Sequence, residues 1–340
     1  MAYATGMIYC HPRARTDLPR SDRALSLAGS AHVWFDTVDG FDASGAPVQA
    51  TISLQTLAQP RRILPQLPTD RPLVMGILNV TPDSFSDGGT AQSVNAALTR
   101  ARDMLAAGAD ILDIGGESTR PGASDVPPGD EIARTAPVIA AIRAAGIRTP
   151  ISIDTRKALV AEAALAAGAD LINDVSALSY DPALGALAAQ AGVPICLMHA
   201  KGTPQTMQAD PRYDNVLTEV YDALARRIDR AAAIGIDPSR VIVDPGIGFG
   251  KTMAHNLTLL RGLSLFQALG APLLLGASRK RFIGTISGVE DPAARMPGSV
   301  AVALAAAGQG AQILRVHDVA ETVQALALWR ALTIEQGDTA

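Results

Sequence analysis

A weak internal repeat is the feature of this chain that most constrains its fold. An Ala-rich helical stretch, a break at Gly and a short apolar run that ends in a polar residue recur at 103–115, 162–176 and 304–319. Ala favours the helix, Gly supplies the left-handed turn that ends it, and a short run rich in Ile, Leu and Val is typical of a buried strand. The repeat therefore predicts a helix–strand unit that the chain uses several times.

The same pattern, followed along the chain, predicts eight strands. They are Leu73–Asn79, Ile111–Gly115, Ile151–Asp154, Leu171–Asp174, Pro194–His199, Val241–Asp244, Leu273–Ala277 and Ile313–Val316. Segments with helical spacing lie between them, and nearly continuous apolar strands that alternate with helices are typical of a parallel sheet covered on both faces. Eight such units favour an α/β fold, the (β/α)8 TIM barrel, over the alternative of an open doubly wound sheet.

The first 70 residues do not follow the repeat and are expected to form an accessory N-terminal extension. Val33, Phe35 and Thr37 stand at alternate positions, as in a strand, and residues 42–45 are typical of a turn. With 48–54 as the second, antiparallel strand, the segment predicts a β-hairpin. We expect the extension to lie against the barrel, or to plug its bottom, rather than to act in catalysis. The predicted domains are the extension at 1–70, the barrel at 71–332 and a C-terminal tail at 333–340.

The composition limits the classes of partner. Of 340 residues, 48% are hydrophobic and 18% are charged, which is typical of a globular protein with a large core. The formal net charge of −4 argues against a nucleic-acid surface. No apolar run approaches the roughly 20 residues that span a bilayer, and no secretory signal is visible, so no membrane partner is expected. Cys10 and Cys196 lack the spacing of a disulfide framework, and we expect a cytoplasmic protein.

Polar side chains stand at the carboxyl ends of the predicted strands, where a (β/α)8 barrel builds its active site. They are Asn79, Asp113, Asp154, Asn173, His199, Asp244, Ser278 with Lys280, and Arg315 with His317. One such residue alone would be explained by a helix cap or a solvated loop. Buried carboxylates need partners, so a ring of them points to a bound ligand. Repulsion within the ring is expected to raise at least one carboxyl pKa.

The glycine-rich segment 244–252 suggests a nucleotide-binding loop, but its spacing excludes one. A P-loop that ends in Lys251 would need Gly where Pro245 stands. A GxGxxG turn that begins at Gly246 would need Gly in place of Lys251. We therefore expect a loop that carries Phe249 and Lys251 towards the barrel mouth.

A cationic rim is expected at the barrel mouth, although the chain is acidic as a whole. Its members would be Arg120, Lys201, Lys251, Arg279, Lys280, Arg281, Arg315 and His317. Such a rim would attract anionic substrates to a pocket that is floored by carboxylates.

Seven sequence motifs together resemble the dihydropteroate synthase family. They are GILNVTPDSFSDGG (76–89), DIGGESTRPGA (113–123), SIDT (152–155), INDVSAL (172–178), DPGIGFGK (244–251), GASRK (276–280) and RVHDV (315–319). The resemblance covers nearly all of the chain from about 72 to 330, in the expected order. The barrel fold of that family agrees with the strand count above.

Enzymes of that family join p-aminobenzoate to 6-hydroxymethyl-7,8-dihydropterin pyrophosphate in folate synthesis and release pyrophosphate. The resemblance implies the same transferase activity here, with Mg²⁺ as cofactor and small molecules as substrates. It also implies an SN1-like substitution, in which the C–O bond breaks early and the enzyme contributes positioning and electrostatic stabilisation. Loops 81–89 and 117–126 would fold over the site and exclude water. Sulfonamides would compete with p-aminobenzoate.

The resemblance assigns a role to each matching residue. Those for the pterin are Asp113, Asp154, Asn173, Asp244 and Lys280, and those for the pyrophosphate are Asn79, Thr119, Arg315 and His317. Those for p-aminobenzoate are Thr119, Arg120, Pro121, Phe249 and Ser278, and Asn79 would bind the metal. The catalytic residues would be Lys280, Arg315, His317 and Asp154. The pairing is chemically sound, because the amino group and ring N–H of a pterin match the two acceptor oxygens of a carboxylate.

The sequence also departs from the family pattern. Ala200 stands where Met is common, Arg281 stands where Ser is common, and the first motif follows an unusually long extension. Two alternatives stay open, a corrinoid-type pterin methyltransferase and a non-catalytic pterin-binding homologue. A methyltransferase of that type handles no pyrophosphate, so Arg315 with His317 favours the synthase. The resemblance also implies a homodimer.

Overall fold

The structure is a computed structural model and describes residues 7–81, 90–119, 122–203 and 205–334. Short elements precede the barrel, and they are β1 (Tyr9–Pro12), β2 (Leu25–Ser26), β3 (Trp34–Phe35), β4 (Val38–Phe41), β5 (Pro47–Val48) and α1 (Leu54–Ala58). Strands β1, β4 and β5 form an antiparallel sheet, and β2 pairs with β3. Most of the predicted C-terminal tail, 335–340, lies outside the described residues.

The hairpin of the extension is present, but it is shifted along the chain. Its arms are β4 and β5, and at the turn the Gly45 N–H donates to the Asp42 carbonyl oxygen at 2.9 Å. The predicted return strand at 48–54 is wrong beyond Val48, because Leu54 begins helix α1. The physical reason is a small separate core, in which Leu57 of α1 packs with Val33 and Phe35. Those two side chains therefore belong to this core and not to an arm of the β4–β5 hairpin.

Eight parallel strands form the barrel. They are β6 (Leu73–Asn79), β7 (Ile111–Gly115), β8 (Ile151–Asp154), β9 (Leu171–Asp174), β10 (Ile195–Met198), β11 (Val241–Asp244), β12 (Leu274–Leu275) and β13 (Ile313–Val316). Their order in the sheet is β11-β10-β9-β8-β7-β6-β13-β12, and a parallel bridge between Val243 and Leu273 closes the ring. The closure excludes the open doubly wound sheet. Only β10 and β12 are shorter than predicted.

Helices lie outside the strands in the alternating order that the repeat predicts. The described ones are α2 (Thr90–Ala106), α3 (Pro128–Ala144), α4 (Ala158–Ala167), α5 (Ala183–Ala191), α6 (Val216–Ile234), α7 (Met253–Arg261), α8 (Arg281–Ser287), α9 (Met296–Ala307) and α10 (Val319–Thr333). Gly108, Gly168 and Gly310, one in each repeat, have φ of 98°, 112° and 84°, the left-handed conformation that ends a helix. None of the described helices has the length and apolar character needed to cross a membrane.

The lower half of the barrel interior is apolar. Alternate side chains of each strand face inward, and the inward residues near the strand starts are Leu73, Met75, Ile111, Leu171, Cys196, Ile242, Leu274 and Ile313. Ile63 and Leu67, at the end of the extension, pack with this cluster. They close the amino end of the barrel, which leaves the carboxyl end of the strands for a site.

Candidate active site

The upper half of the barrel interior is polar and contains the residues predicted to bind a pterin. Each of the following lies two positions after an apolar interior residue, on the same face of its strand: Asp113, Asn173, Asp244 and Arg315. Asp154 ends β8, between β7 and β9 in the sheet. The exposed fractions of Asp113, Asp154 and Asp244 are only 0%, 9% and 5%. Charges this deeply buried are tolerated only when they are paired.

Arg315 supplies the pairing. Its Nε donates to Asp113 Oδ2 at 2.6 Å, and its Nη2 donates to Asp154 Oδ2 at 2.6 Å. The side-chain amide of Asn173 donates to Asp113 Oδ2 at 3.3 Å. One guanidinium therefore joins the carboxylates of two neighbouring strands, and the four side chains form one network.

Burial raises the pKa of Asp154 to about 7. The Arg315 guanidinium opposes this shift, while the negative charge of Asp113 reinforces it. The prediction of a raised carboxyl pKa in this ring is thus confirmed, with loss of solvent as its main cause and repulsion as the lesser one.

Asp244 and Lys280 form the other side of the polar floor. Asp244 Oδ1 accepts the Gly246 N–H at 2.7 Å, and burial raises the pKa of this carboxyl against the opposing charge of Lys280. Burial lowers the pKa of Lys280 to about 8, and its ammonium donates to the Ile247 carbonyl oxygen. The Lys280 Nζ also lies 4.7 Å from the centre of the Phe249 ring, a cation–π distance. A residue predicted for the pterin and one predicted for p-aminobenzoate are therefore adjacent.

Lys251 does not reach the barrel mouth as the sequence suggested. It is 3% exposed, and its Nζ lies 2.9 Å from His199 Nδ1, 3.3 Å from the His199 carbonyl oxygen and 3.0 Å from the Phe249 carbonyl oxygen. An ammonium has three protons, and these three acceptors satisfy them. Burial together with the neighbouring Lys251 lowers the pKa of His199 to about 2, so the imidazole is neutral. Lys251 thus ties the loop after β11 to the end of β10.

Ser278 and His317 meet where the segments after β12 and β13 come together, at the carboxyl end of the barrel. Ser278 Oγ lies 3.0 Å from His317 Nδ1, and it accepts the His317 backbone N–H at 3.2 Å. Arg279, which follows Ser278 in the chain, has φ of 59°. Its guanidinium donates to both carboxylate oxygens of Asp318. The ion pair with Asp318 stabilises Arg279 in the left-handed conformation, which is unfavourable for a residue with a side chain. The backbone turn at Arg279 in turn sets the positions of its neighbours Ser278 and Lys280.

Asn79 is the residue predicted to bind a metal. A methyl group built on Gly115 would lie 3.8 Å from Asn79 Oδ1 and 3.6 Å from Asp154 Oδ2, so these two oxygens face the same space above Gly115. Within the ranges given above, no three His, Cys, Asp or Glu side chains are grouped as a metal site. One amide oxygen beside a carboxylate fits Mg²⁺ when substrate phosphates and water supply its remaining ligands.

Comparison with known proteins decides the family. The family model described as pterin binding enzyme matches residues 75–317. A dihydropteroate synthase of Neisseria meningitidis serogroup C is 53% identical over 268 residues, which are 78% of this chain and 94% of that relative. The chain belongs to the dihydropteroate synthase family.

Solved dihydropteroate synthases have the same fold. A Xanthomonas albilineans enzyme solved with 4-aminobenzoic acid is 50% identical with a TM-score of 0.74, and the match covers 78% of this chain and 95% of that one. A second structure from this organism, in complex with 7,8-dihydropteroate, is 47% identical with a TM-score of 0.72, covering 79% and 97%. A Yersinia pestis enzyme in a sulfonamide drug complex is 48% identical with a TM-score of 0.72, covering 77% and 94%.

The structure describes part of the two loops that carry further residues expected from the dihydropteroate synthase motifs. Arg120 and Pro121 lie outside the described residues, as does most of the loop 81–89. Thr119 is half-buried on the loop after β7. These positions stay predictions for the arylamine and the pyrophosphate.

The cationic rim is smaller than the sequence predicted. Arg279 is paired with Asp318, and Lys201 donates to the Arg212 carbonyl oxygen. Arg281 is exposed at the start of α8. The described cations at the polar floor are instead Lys280 and Arg315, because Arg279, Lys201 and Lys251 have local partners and Arg281 faces solvent.

The sequence did not reveal one charged cluster beside the site, made of Glu117, Arg156 and Lys157. The signal was available, since opposite charges follow the ends of two strands that are neighbours in the barrel, β7 and β8. None of these three residues belongs to the predicted ring of strand-end residues, so on sequence alone they have no role beyond that of loop residues.

Proposed function

We propose that this chain condenses p-aminobenzoate with 6-hydroxymethyl-7,8-dihydropterin pyrophosphate to give 7,8-dihydropteroate and pyrophosphate. The observation that carries the proposal is the buried network in which Arg315 joins Asp113 and Asp154 on the barrel floor. A pterin that carries an anionic leaving group needs such a floor, with carboxylates for the ring and a cation for the phosphates. A methyltransferase substrate without pyrophosphate would leave the cation unused.

The pterin would lie on the polar floor. Its amino group and ring N–H would donate to the carboxylates of Asp154 and Asp244, which burial keeps free of competing water. Asn173 can offer its amide oxygen, since its amide nitrogen is already directed to Asp113. Lys280 would donate to the pterin carbonyl oxygen and ring nitrogen in place of the Ile247 carbonyl oxygen.

The pyrophosphate would lie above the pterin, near Arg315, His317 and Thr119. In the part of the chain that the structure describes, Nη1 of Arg315 has no hydrogen-bond partner, so a phosphate oxygen can accept from it. His317 follows on the same face, two residues later. Mg²⁺, when bound through Asn79, would supply further positive charge to the phosphate oxygens. Arg315 and His317 stabilise the charge that develops as the methylene C–O bond breaks.

The p-aminobenzoate would lie nearer to solvent, between Phe249, Ser278 and the loop that contains Thr119, Arg120 and Pro121. Its amine is neutral at pH 7 and attacks the methylene cation with its lone pair, after which the resulting anilinium loses a proton to water. The residues of the site therefore need to position the amine and exclude water, and no strong general base is required.

The decisive experiment uses the purified full chain with dihydropterin pyrophosphate, Mg²⁺ and p-aminobenzoate, and it measures released pyrophosphate. We expect release that depends on p-aminobenzoate, together with the appearance of 7,8-dihydropteroate. A sulfonamide should raise the apparent KM for p-aminobenzoate without changing kcat. Pterin binding without release would favour the non-catalytic homologue and reject the proposal.

The assembly and the compartment are proposals as well. We infer a homodimer in a cytoplasmic setting, supported by the family resemblance and by the two cysteines, Cys10 and Cys196, which are both buried and unpaired. Light scattering on the full chain should give twice the mass of one chain. A mass of 35.2 kDa would reject the dimer.

A further inference from the structure

The cluster of Glu117, Arg156 and Lys157 lies at the base of the loop that joins β7 to α3. Glu117 starts this loop, and its side chain is 2% exposed. Its Oε1 accepts the backbone N–H of Val126, near the far end of the loop, at 2.8 Å. One buried carboxylate therefore joins the two ends of the segment 117–126.

Arg156 holds the same two ends from the neighbouring strand. It follows β8, its Nε donates to Glu117 Oε2 at 3.1 Å, and its Nη2 donates to Asp125 beside Val126. The guanidinium lies over the Tyr180 ring, 4.0 Å from its centre, and the side chain is 8% exposed. The planar group is thus fixed by two carboxylates and one aromatic face, a geometry that a lysine cannot reproduce in full.

Lys157 completes the charge balance. Its Nζ donates to Glu117 Oε1 at 2.9 Å and to Glu131 Oε2 at 2.6 Å, and Glu131 belongs to the first turn of α3. Burial would raise the pKa of Glu117, but the hydrogen bonds from Arg156, Lys157 and Val126 outweigh it and lower this pKa. The carboxylate stays ionised, so its hydrogen bonds are of the strong, charge-assisted kind.

We propose that Glu117 and Arg156 are positioning residues that hold together the described parts of the loop after β7, 117–119 and 122–126, and so set the affinity of the enzyme for its arylamine substrate. Thr119 lies two residues after Glu117, and neither Glu117 nor Arg156 belongs to the pterin floor. A loop that is anchored at both ends before the substrate arrives loses less conformational freedom on binding, which favours a lower KM. The inference rests on the proposed function, because that function assigns the loop to p-aminobenzoate.

The kinetic test compares Arg156→Ala, Arg156→Lys and Glu117→Gln with the unmodified chain. In Arg156→Ala and Glu117→Gln the KM for p-aminobenzoate should rise about 10-fold, the effect of one charged hydrogen bond, while kcat changes by less than about 2-fold. Arg156→Lys should show a smaller rise in KM than Arg156→Ala. An ammonium keeps the positive charge, but it cannot contact both Glu117 and Asp125 at the same time, as the guanidinium does. The Kd for 6-hydroxymethylpterin, measured by calorimetry, should not change.

Arg71→Ala is the matched control. Arg71 forms a comparable pair with Asp110, at 2.7 Å, but both residues precede their strands at the amino end of the barrel. This variant should lose thermal stability and keep the KM for p-aminobenzoate. The proposal is overturned if both loop variants keep that KM, or if the Kd for the pterin rises as much as the KM.

A second measurement does not depend on activity. Hydrogen exchange of a peptide that contains Val126 should be faster in Arg156→Ala and Glu117→Gln than in the unmodified chain, while the barrel strands exchange as before. Unchanged exchange would reject the anchoring of the loop. An unmodified chain that releases no pyrophosphate with p-aminobenzoate would instead reject the proposed function, and the arylamine assignment with it.

Discussion

Arg315 joins two carboxylates that the barrel interior would otherwise bury side by side. Because it contacts both Asp113 and Asp154, and because the proposed function assigns its Nη1 to a phosphate oxygen, its removal is expected to affect both the polar floor and the leaving group. Arg315→Ala should lower kcat by about 100-fold or more, as expected when a preorganised donor to developing charge is lost. Steady-state kinetics at saturating substrates measure this.

The matched control for Arg315 is Arg143→Ala. Arg143 pairs with Asp170 at 2.6 Å near the amino end of β9, so its loss should reduce stability but not kcat. An Arg315→Ala variant with a kcat near that of the unmodified chain would contradict the leaving-group role.

The two shifted pKa values of the floor predict how pterin binding depends on pH. The raised pKa of Asp154, about 7, means that below that pH the carboxyl is protonated and is lost as a charged acceptor for the pterin. The lowered pKa of Lys280, about 8, means that the ammonium is lost above that pH. Affinity for 6-hydroxymethylpterin should therefore peak between these values and fall about 10-fold per pH unit on the acid side.

Two variants test which group causes the loss of pterin affinity on each side of this pH profile. Asp154→Asn should remove the acid limb, and Lys280→Met should remove the alkaline limb, both measured by calorimetric titration over a series of pH values. An acid limb that persists in Asp154→Asn would show that another group titrates there.

At the scale of strands and loops, alternation explains how much of the site could be predicted. Four site residues, Asp113, Asn173, Asp244 and Arg315, each keep the parity of the apolar interior residue two positions earlier, as Asn173 does after Leu171. Parity also separates Asn173 from its neighbour Asp174, which faces away and accepts the Ser176 and Leu178 N–H groups at 2.8 and 2.6 Å. Two features of the sequence were therefore sufficient to locate the polar floor. They are the alternation of inward and outward side chains along each strand and the repetition of helix–strand units along the chain.

Contacts between loops could not be predicted in the same way. The Glu117–Arg156 pair depends on β7 and β8 being neighbours and on the length of the loop between them, and neither side chain follows a period. Lys251 follows a glycine-rich turn that was expected to carry it to the barrel mouth, yet its ammonium contacts His199 Nδ1 and the carbonyl oxygens of His199 and Phe249. Local sequence does not reveal these pairings, because Glu117 and Arg156 belong to different units of the barrel, as do Lys251 and His199.

Two glycines at strand ends give opposite predictions for the same substitution. Gly276 follows β12, and a methyl group there would lie 3.7 Å from Asp244 Oδ2 and 3.8 Å from Arg315 Cδ. Gly276→Ala should therefore change the free energy of unfolding by less than about 1 kcal/mol, while the methyl group occupies pterin space and weakens binding about 10-fold. Thermal unfolding and calorimetric titration measure the two effects separately.

Gly246 provides the contrast. It has φ of 68°, and a methyl group there would lie 1.9 Å from the His199 carbonyl oxygen. Gly246→Ala should lower the free energy of unfolding by about 2 kcal/mol or more, because it adds both left-handed strain and a backbone clash. A Gly276→Ala variant that unfolds as readily as Gly246→Ala would mean that position 276 serves packing and not the ligand.

At the scale of the whole molecule, the extension and the site lie at opposite ends of the barrel. Ile63 and Leu67 pack against the starts of the strands, while the polar floor lies at their carboxyl ends. The extension also contacts the outer layer, where the Tyr9 hydroxyl donates to Asp222 of α6 at 3.0 Å and His32 meets Thr333 of α10 at 3.2 Å. Its contacts are therefore with the scaffold, and the family match at 75–317 leaves it outside the shared region.

Deletion of residues 1–60 should then separate stability from catalysis. It removes the contact of Arg61 with the Thr56 carbonyl oxygen and exposes the surfaces beneath β1 and α1, so the Tm should fall by about 2–4 °C for each kcal/mol lost. A deletion to residue 68 also removes Ile63 and Leu67, whose burial contributes about 1.5–3 kcal/mol each, and should lower the Tm further. At a temperature where the shorter deletion is folded, both KM values should match those of the full chain. A folded deletion variant with a raised KM would instead show that the extension affects the site through the barrel. In that case Leu67→Ala in the full chain should raise the same KM, and an unchanged KM in that variant would reject the connection.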